Sequence, residues 1–343
     1  MPTKIKIGII GAGANTKLRH IPGLQAIEGV EVAAVSNRSV ASAEKVAKEF
    51  SISEVYSHWN ELIADPEIDA VVIGTWPYMH CPITLAALAA EKHVLTEARM
   101  ALSANEARQM LTASLARPNL VAQVVPAPFT FPFDRTIIKL ISSGSIGVPL
   151  AVELRAGGSF IDPDSPLHWR DDFTYSGFNT MTLGIWYESI MRWLGHCCCV
   201  TAQAKTFVNS RKDDNGSNIA IRIPDHIDVI AQMECSAQLH MQISKVTGHA
   251  GKPELFIFGS KATIRLCDEK LYVGKSSDTE LKEYSINPAD KDSWHVEQDF
   301  IDSIRTGKPV TLTSFQDGLK YMEFTEAAIR SAQQGTTIYL PLS

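Results

Sequence analysis

Two glycines, Gly11 and Gly13, carry the clearest chemical signal in the sequence. They follow an apolar, strand-like run over residues 5–10, and the residues after them have helical character. Gly11 suits a tight turn, and Gly13 leaves room for the backbone to approach a pyrophosphate at the start of a helix. Thr16 stands where a third glycine is usual, so the motif depends on its strand–turn–helix context. The residues predicted to bind the phosphates are Gly11, Gly13, Ala14 and Asn15.

The end of the second predicted strand bears on which dinucleotide is bound. Sites selective for NAD usually place an acidic residue there to bind the ribose hydroxyls, and a carboxylate repels a 2′-phosphate. This chain has Asn37 at that position, followed by Arg38, which can pair with a phosphate or stack on adenine. NADP is therefore favoured over NAD. The alternative is that Arg38 is an ordinary surface residue of the loop.

A polar and aromatic cluster at positions 168–170 offers groups for binding and proton transfer. His168 can titrate near neutral pH, Trp169 presents a face for a sugar ring, and Arg170 presents a fork for hydroxyls or a carboxylate. We predict His168 as a catalytic candidate and Trp169 and Arg170 as substrate-binding residues. The alternative is a structural loop anchored by Trp169, in which Arg170 pairs with Asp172 at the surface.

The elements that would position these groups change in character along the chain. Up to about residue 125, continuous apolar strands alternate with helical patterns, which is typical of a parallel sheet covered on both faces. Later segments alternate apolar and polar residues, which suits an antiparallel sheet with one covered face. We therefore predict an α/β Rossmann dinucleotide-binding domain over residues 1–125. An α+β domain with a predominantly antiparallel, open-faced sheet is predicted over residues 126–343, for substrate binding and oligomerisation.

Composition excludes several classes of function. The chain has 343 residues and a net charge of -6, which argues against general affinity for nucleic acid or for an anionic membrane surface. No apolar run reaches the roughly 20 residues that span a bilayer, and the first residues lack the features of a secretory signal. The six cysteines show no C-x-x-C spacing. We expect a cytoplasmic protein with reduced cysteines and no metal site.

Segments along nearly the whole chain resemble the Gfo/Idh/MocA family, the group of glucose–fructose oxidoreductase and inositol dehydrogenase. The glycine turn is similar to the one in that family, and residues 92–97 resemble its Lys-His-Val-Leu-Cys-Glu run. The other matching segments are residues 20–22, residues 69–75 with Pro77 and His80, residues 183–184, 192–195, 254–262, 307–309 and 317–318.

The resemblance implies oxidoreduction of a sugar or polyol with NAD(P). It places Thr75 near the cofactor ribose and Glu97 at the nicotinamide riboside, with Trp76 in the same cofactor-binding segment. His80 would lie on the wall of the site, although hydrogen bonding at a helix end explains a histidine there equally well. The partner is then a small-molecule substrate. The uncovered sheet face implies a homodimer or homotetramer.

The chain departs from the family at the positions that implied catalysis would use. The family's Glu-Lys-Pro corresponds to Glu97, Ala98 and Arg99, and its Asp-x-Gly-x-His corresponds to residues that begin with Thr182 and end with Trp186. In the family the lysine and histidine move the hydroxyl proton while hydride leaves carbon. Ala98, Thr182 and Trp186 cannot do this. Trp186 would partly fill the substrate space, and we predict it as a substrate-binding residue together with Trp169 and Arg170.

Two further side chains are candidates to replace the missing acid and base. Arg99 can polarise a carbonyl or bind a carboxylate but is a poor base, and a surface or capping cation is an equally good explanation. Tyr187 would serve as an acid if a nearby cation lowered its pKa; otherwise it is a packed aromatic residue. The expected function is an NAD(P)-dependent oxidoreductase with a non-standard acid–base set. The alternatives are a cofactor-binding sensor, or a lyase or hydrolase that uses a retained cofactor without net redox change.

Overall fold

The computed structural model describes residues 4–343, which pack into two compact units. The first unit consists of the chain up to Pro126 together with His295–Met322. The second consists of Ala127–Trp294 and Glu323–Ser343. These units are defined by packing alone, so the division of the chain into two domains at residue 125 stays a prediction.

The described strands form a six-stranded sheet, a nine-stranded sheet and a separate two-stranded sheet of β9 and β10, and their bounds in chain order are as follows. They are β1 (Ile5–Ile10), β2 (Val30–Ser36), β3 (Glu54–Val55), β4 (Ala70–Ile73), β5 (His93–Thr96), β6 (Ala122–Val124), β7 (Pro149–Gly158), β8 (Cys197–Lys205), β9 (Ser210–Lys212), β10 (Asn218–Ala220), β11 (His226–Met233), β12 (Gln238–Gly248), β13 (Glu254–Gly259), β14 (Ala262–Cys267), β15 (Lys270–Lys275), β16 (Lys282–Glu283) and β17 (Ile338–Tyr339).

Helices connect these strands and cover the first sheet. They are α1 (Ile21–Gln25), α2 (Val40–Phe50), α3 (Trp59–Ala64), α4 (His80–Ala89), α5 (Ala104–Leu115), α6 (Phe131–Ser142), α7 (Phe173–Ser176), α8 (Leu183–Leu194), α9 (Val296–Thr306) and α10 (Phe315–Gln334). Local sequence explains two of the starts. Ser39 and Ser103 accept backbone N–H bonds from Ser42 and Glu106, and so cap α2 and α5.

The sheet of the first unit has six parallel strands in the order β3-β2-β1-β4-β5-β6. Its central strands are buried on both faces, β4 along its whole length. Burial on both faces explains why these segments are continuously apolar in the sequence. Strands β1 to β3 are added toward one edge of the sheet and β4 to β6 toward the other, so the strand order switches between β1 and β4. The carboxyl ends of the strands at that switch point form the usual place for a dinucleotide.

The second unit contains a nine-stranded sheet in the order β16-β15-β14-β13-β7-β12-β11-β8-β17. Only the β7–β12 pair is parallel among the described strands of this sheet. Buried and exposed residues alternate along β7 and β11, as expected where one face packs on a core. The predicted fold class, a Rossmann domain followed by a mostly antiparallel α+β domain, is confirmed.

Among the described residues, no helix combines the length and the apolar character that crossing a membrane requires. Within residues 4–343 there is likewise no group of three or more His, Cys, Asp and Glu side chains placed to hold a metal ion.

A close approach at the end of β13 gives a test of the second sheet. A Cβ on Gly259 would lie 2.1 Å from the Ile146 carbonyl oxygen and 2.9 Å from that of Ala262. Both neighbours are backbone, so the sheet edge must shift to accept a methyl group. We expect Gly259→Ala to lower the free energy of unfolding by about 2 kcal/mol or more, measured by urea denaturation.

Thr263→Ala on the next strand is the control. Thr263 is half-buried, and shortening its side chain creates no steric clash. It should cost about 1 kcal/mol or less. An unchanged urea midpoint for Gly259→Ala would contradict the register of β13 against residues 146–149.

Candidate functional site

The glycine turn at the end of β1 is built by close contact with the end of β4. Gly11 has a φ of +84°, a conformation that favours glycine, and a Cβ there would lie 2.6–2.9 Å from atoms of Thr75. The Gly11 N–H donates to the Ser36 carbonyl at 2.9 Å, which fixes the turn to β2. A Cβ on Gly13 would meet the Gly74 oxygen at an ordinary 3.4 Å. The surface of Gly13 therefore stays open, without close packing against the Gly74 backbone.

Asn37 holds the same turn from the side of β2. Its Oδ1 accepts the Ala12 N–H at 2.7 Å, and its Nδ2 donates to the Ser42 hydroxyl at 3.1 Å. The Arg38 guanidinium lies 5.8 Å from the centre of the Trp76 ring. The structure thus brings together two predicted cofactor residues from β2 and β4. No carboxylate stands at position 37 or 38 to repel a phosphate.

The chain leaves the glycine turn through a wide helical turn over Thr16–His20. The Ile21 N–H donates to the Thr16 carbonyl, an i to i+5 bond of the π-helical type, which often marks functional sites. This spacing places Asn15 and His20 side by side, with Asn15 Nδ2 3.4 Å from His20 Nε2. An ordinary α-helical turn would separate side chains five positions apart.

Both of these side chains contact Glu97, which follows β5. Asn15 Nδ2 donates to Glu97 Oε1 at 2.5 Å, and His20 Nε2 lies 3.0 Å from the same oxygen. The other ring nitrogen of His20 lies 2.5 Å from Glu297 Oε1, at the start of α9. His20 is fully buried between the two carboxylates.

The pKa values in this cluster favour its charged forms. Burial alone would lower the pKa of His20, but the hydrogen bonds and charges of Glu297 and Glu97 outweigh it and raise that pKa to about 9. Burial acts to raise the pKa of Glu97, yet the contacts with His20 and Asn15 bring it below its usual value. These shifts favour an imidazolium at His20 and a carboxylate at Glu97 at neutral pH.

His80 lies at the start of α4 and is fully buried. Its Nε2 is 3.0 Å from the Thr75 carbonyl and its Nδ1 is 2.9 Å from the Arg99 carbonyl. Burial lowers the pKa of His80. Both ring nitrogens thus contact backbone carbonyls, as the alternative of helix-end hydrogen bonding expects. Arg99 is itself buried, 6% exposed.

The cluster at positions 168–170 lies in the second unit, on an exposed loop. His168 Nδ1 accepts the Arg170 N–H at 3.2 Å, and the Arg170 guanidinium lies 4.3 Å over the Trp169 ring. Burial and the charge of Arg170 lower the pKa of His168, so it is neutral at pH 7. Because Nδ1 is an acceptor, the neutral ring carries its proton on Nε2 and presents a donor there.

Buried charges hold this loop in place. The Arg211 guanidinium donates to the Asp162 carbonyl at 2.9 Å and to the Ser165 carbonyl at 2.8 Å. Asp171 forms an ion pair with Lys245. Asp172, the residue after this ion-paired aspartate, accepts the Thr174 N–H and caps α7.

Tyr187 lies on α8 in the core of the second unit, where its side chain is buried. Its ring stacks on Phe324 with 3.6 Å between ring centres, and its hydroxyl oxygen accepts the Cys197 N–H at 2.9 Å. Burial raises the pKa of Tyr187 well above its usual value. The hypothesis of a phenol acid required the opposite shift, so we assign Tyr187 to packing. Trp186 is also buried, with its ring 5.0 Å from that of Phe129.

Sequence reasoning missed three residues that shape these sites: His20, Glu297 and Arg211. His20 was noted only as part of a resembling segment. Glu297 and Arg211 carry no local pattern, because each acts on residues far away in the sequence. The i, i+5 spacing of Asn15 and His20 was the one available signal.

Comparison with known proteins fits this geometry. A family model described as an oxidoreductase family with an NAD-binding Rossmann fold matches residues 5–124. The GFO/IDH/MocA C-terminal domain model matches residues 135–265. The chain belongs to the Gfo/Idh/MocA family.

Individual members of the Gfo/Idh/MocA family are similar over different lengths. An uncharacterized oxidoreductase of Synechocystis is 26% identical over 78% of this chain and 72% of its own length. Inositol 2-dehydrogenase of Pseudomonas savastanoi is 35% identical, but over only 43% of this chain and 44% of the relative. The structure of a levoglucosan dehydrogenase with NADH and L-sorbose has a TM-score of 0.85 and 22% identity, covering 98% of this chain and 99% of that one. This last likeness shows a shared fold.

Removing the Tyr187 hydroxyl tests its assignment to packing. Tyr187→Phe keeps the stacked ring but leaves the buried Cys197 N–H without its acceptor. We expect the free energy of unfolding to fall by about 1–2 kcal/mol, measured by chemical denaturation, while dinucleotide affinity stays unchanged. Tyr339→Phe, at a tyrosine that is 75% exposed, is the matched control and should change stability by less than about 0.5 kcal/mol. If Tyr187→Phe instead lowered turnover without changing stability, the result would support a catalytic role for the Tyr187 hydroxyl.

Proposed function

We propose that this protein is an NAD(P)-dependent oxidoreductase of a sugar, sugar acid or related polyhydroxylated or carbonyl compound. The observation that carries the proposal is the glycine turn at the switch point of the parallel sheet, where Gly11 closes the turn and Gly13 stays uncovered. The nicotinamide, when bound, supplies or accepts a hydride. The names of the inositol and levoglucosan dehydrogenases support a polyhydroxylated substrate.

The residues that fit the dinucleotide are those of the first unit. Gly11, Gly13, Ala14 and Asn15 lie directly before the wide helical turn over Thr16–His20, where backbone N–H groups suit a pyrophosphate. Glu97 is held as a carboxylate, which accepts hydrogen bonds from ribose hydroxyls. Thr75 packs against the turn, and the His80 side chain acts indirectly by joining the Thr75 and Arg99 backbones.

We propose NADP as the preferred dinucleotide. Asn37 is uncharged and is occupied with the Ala12 N–H and the Ser42 hydroxyl, so it does not oppose a 2′-phosphate. Arg38 supplies positive charge beside the Trp76 ring. The Arg38 guanidinium can bind a phosphate, and either the flat guanidinium or the Trp76 indole can stack on adenine.

A non-standard acid–base set follows from the side chains at the catalytic positions of the family. Ala98, Thr182 and Trp186 cannot transfer a proton at neutral pH. We propose that Arg99 and His168 take over part of this role as a cation and a hydrogen-bond donor. The neutral His168 presents Nε2–H, which stabilises negative charge on a carbonyl oxygen during reduction, and that oxygen then takes its proton from water. Trp169 and Arg170 supply a stacking face and a fork for the substrate.

The remaining proposals concern the setting of the protein. We propose a cytoplasmic location and a homodimer or homotetramer formed through the exposed face of the nine-stranded sheet. Apolar side chains on that sheet that remain uncovered include Ile230, which is 52% exposed. We also propose that the dinucleotide-binding domain ends at residue 125 and that the second domain begins at residue 126, because the sequence pattern changes there from parallel to antiparallel strands.

Hydride transfer is tested directly with isotope. NADPH and NADH, each deuterated at the transferable position, are incubated with the protein and a pool of keto-sugars, sugar lactones and small aldehydes. We expect deuterium in one class of polyhydroxylated product, detected by mass spectrometry, with NADPH as the better donor. Binding of the dinucleotide without label transfer would contradict the enzyme and support a cofactor-binding sensor. Product formed from a sugar without net consumption of tightly held cofactor would support a lyase or hydrolase.

The choice of cofactor is tested at Arg38. Arg38→Ala removes the cation but not the glycine turn, so we expect the Kd for NADPH to rise about 10-fold or more while that for NADH changes little. Isothermal titration calorimetry measures both. Lys48→Ala, at an exposed lysine of α2, controls for the loss of a surface charge. An equal effect of Arg38→Ala on both dinucleotides would contradict NADP selectivity.

A further inference from the structure

His20 lies on the wide turn that follows the phosphate-binding glycines, and its position depends on that turn. The i to i+5 bond between Thr16 and Ile21 turns the imidazole to the same side as Asn15. Both side chains then contact Glu97, at the end of a different strand. The first turn of the cofactor helix is therefore joined to the loop after β5 by side chains as well as by backbone packing.

The two neighbours of the imidazole decide its protonation state. A neutral histidine has one donor and one acceptor nitrogen, but here Nδ1 faces a Glu297 oxygen at 2.5 Å and Nε2 faces a Glu97 oxygen at 3.0 Å. An ionised carboxylate offers only acceptors. Both contacts are hydrogen bonds at the same time only if both ring nitrogens carry protons.

Glu97 receives both of its hydrogen bonds on one oxygen. Asn15 and His20 donate to Oε1, and Oε2 receives none from the residues that the structure describes. The Glu97 side chain keeps 15% of its surface exposed, whereas that of Glu297 keeps 5%. Glu97 is thus oriented by one oxygen while the second remains for hydroxyl groups of a ligand.

We propose that His20 is a positioning residue, an imidazolium that Glu297 holds in place and that in turn fixes Glu97 for the nicotinamide ribose of the dinucleotide. The inference rests on the proposed function for the identity of the ligand, and on the described contacts for the charge state. His20 itself does not touch the reacting atoms. It acts by donating a hydrogen bond to Oε1 of Glu97, which leaves Oε2 for the ligand, and by balancing part of the negative charge of the two glutamates.

This arrangement makes cofactor affinity depend on pH in one direction. The groups that face His20 include Glu97 after β5, Glu297 on α9 and the amide of Asn15. The pKa of His20 is raised to about 9, above its ordinary value of 6.5. The contribution of the imidazolium to cofactor binding is therefore complete while His20 stays protonated, well below pH 9, and is lost as the pH rises through 9.

The test combines a titration of the free protein with cofactor binding by the full chain. His20→Gln keeps a hydrogen-bond donor but removes the charge, and Glu297→Gln keeps the shape but weakens the raised pKa. His240→Gln, at an exposed histidine of β12, is the matched control. Histidine ¹³Cε1–¹H NMR follows protonation from pH 6 to 10, and calorimetry gives the Kd for NADPH over the same range. A cooperative thermal unfolding transition is the check that each variant is folded.

We expect His20 to titrate near pH 9 in the wild type and at least about one pH unit lower in Glu297→Gln. The Kd for NADPH should stay constant to about pH 8 and then rise, whereas His20→Gln should bind about 10-fold more weakly already at pH 7 and show a flat profile. Should His20→Gln fail to fold, Glu297→Gln alone must shift the pH profile of binding.

Two results would overturn the inference. One is a His20 resonance that is neutral at pH 7.5, and the other is a folded His20→Gln variant with wild-type affinity and the wild-type pH profile. A wild-type protein that binds no dinucleotide at any pH would refute the proposed function instead. In that case the NMR titration still reports separately on the imidazolium.

Discussion

The first unit depends on how closely the ends of β1 and β4 approach each other. A Cβ on Gly74 would lie 2.1 Å from the Thr16 hydroxyl and 2.3 Å from the Gly11 carbonyl oxygen, so neither strand end tolerates a larger residue. Thr16 takes the space that a third motif glycine would leave empty. The helix then begins with a wide turn, and that turn determines where Asn15 and His20 point.

Charge in this unit is arranged around that turn. Glu97 and Glu297 are both nearly buried, and an isolated carboxylate in such a place is costly. His20 offsets this cost by contacting both of them, and the Asn15 amide adds a second donor to Glu97. The candidate site therefore joins a backbone surface suited to phosphate with a side-chain cluster that carries net negative charge where a ribose hydroxyl can donate.

Features with local causes were predictable from the sequence. The parallel sheet was evident because its strands are buried on both faces and read as continuous apolar runs, and the glycine turn was evident because Gly11 requires a positive φ. The environments of His80 and Tyr187 were not. Each depends on which backbone groups and rings the tertiary fold brings near, such as the Phe324 ring against Tyr187. The His20–Glu297 contact joins residues 277 positions apart, a separation that no local pattern reports.

The same contact has a consequence for how the chain is made. Synthesis produces His20 and Glu97 early, but Glu297 and the rest of α9 emerge only after almost all of the second unit. Until then the nascent first unit holds its buried imidazole beside one carboxylate. Domains generally fold in order as they leave the ribosome, yet this one acquires its final charge balance only after most of the unit that follows it has been synthesised. Assembly of the buried charge cluster beside the glycine turn is thereby tied to synthesis of the chain through α9.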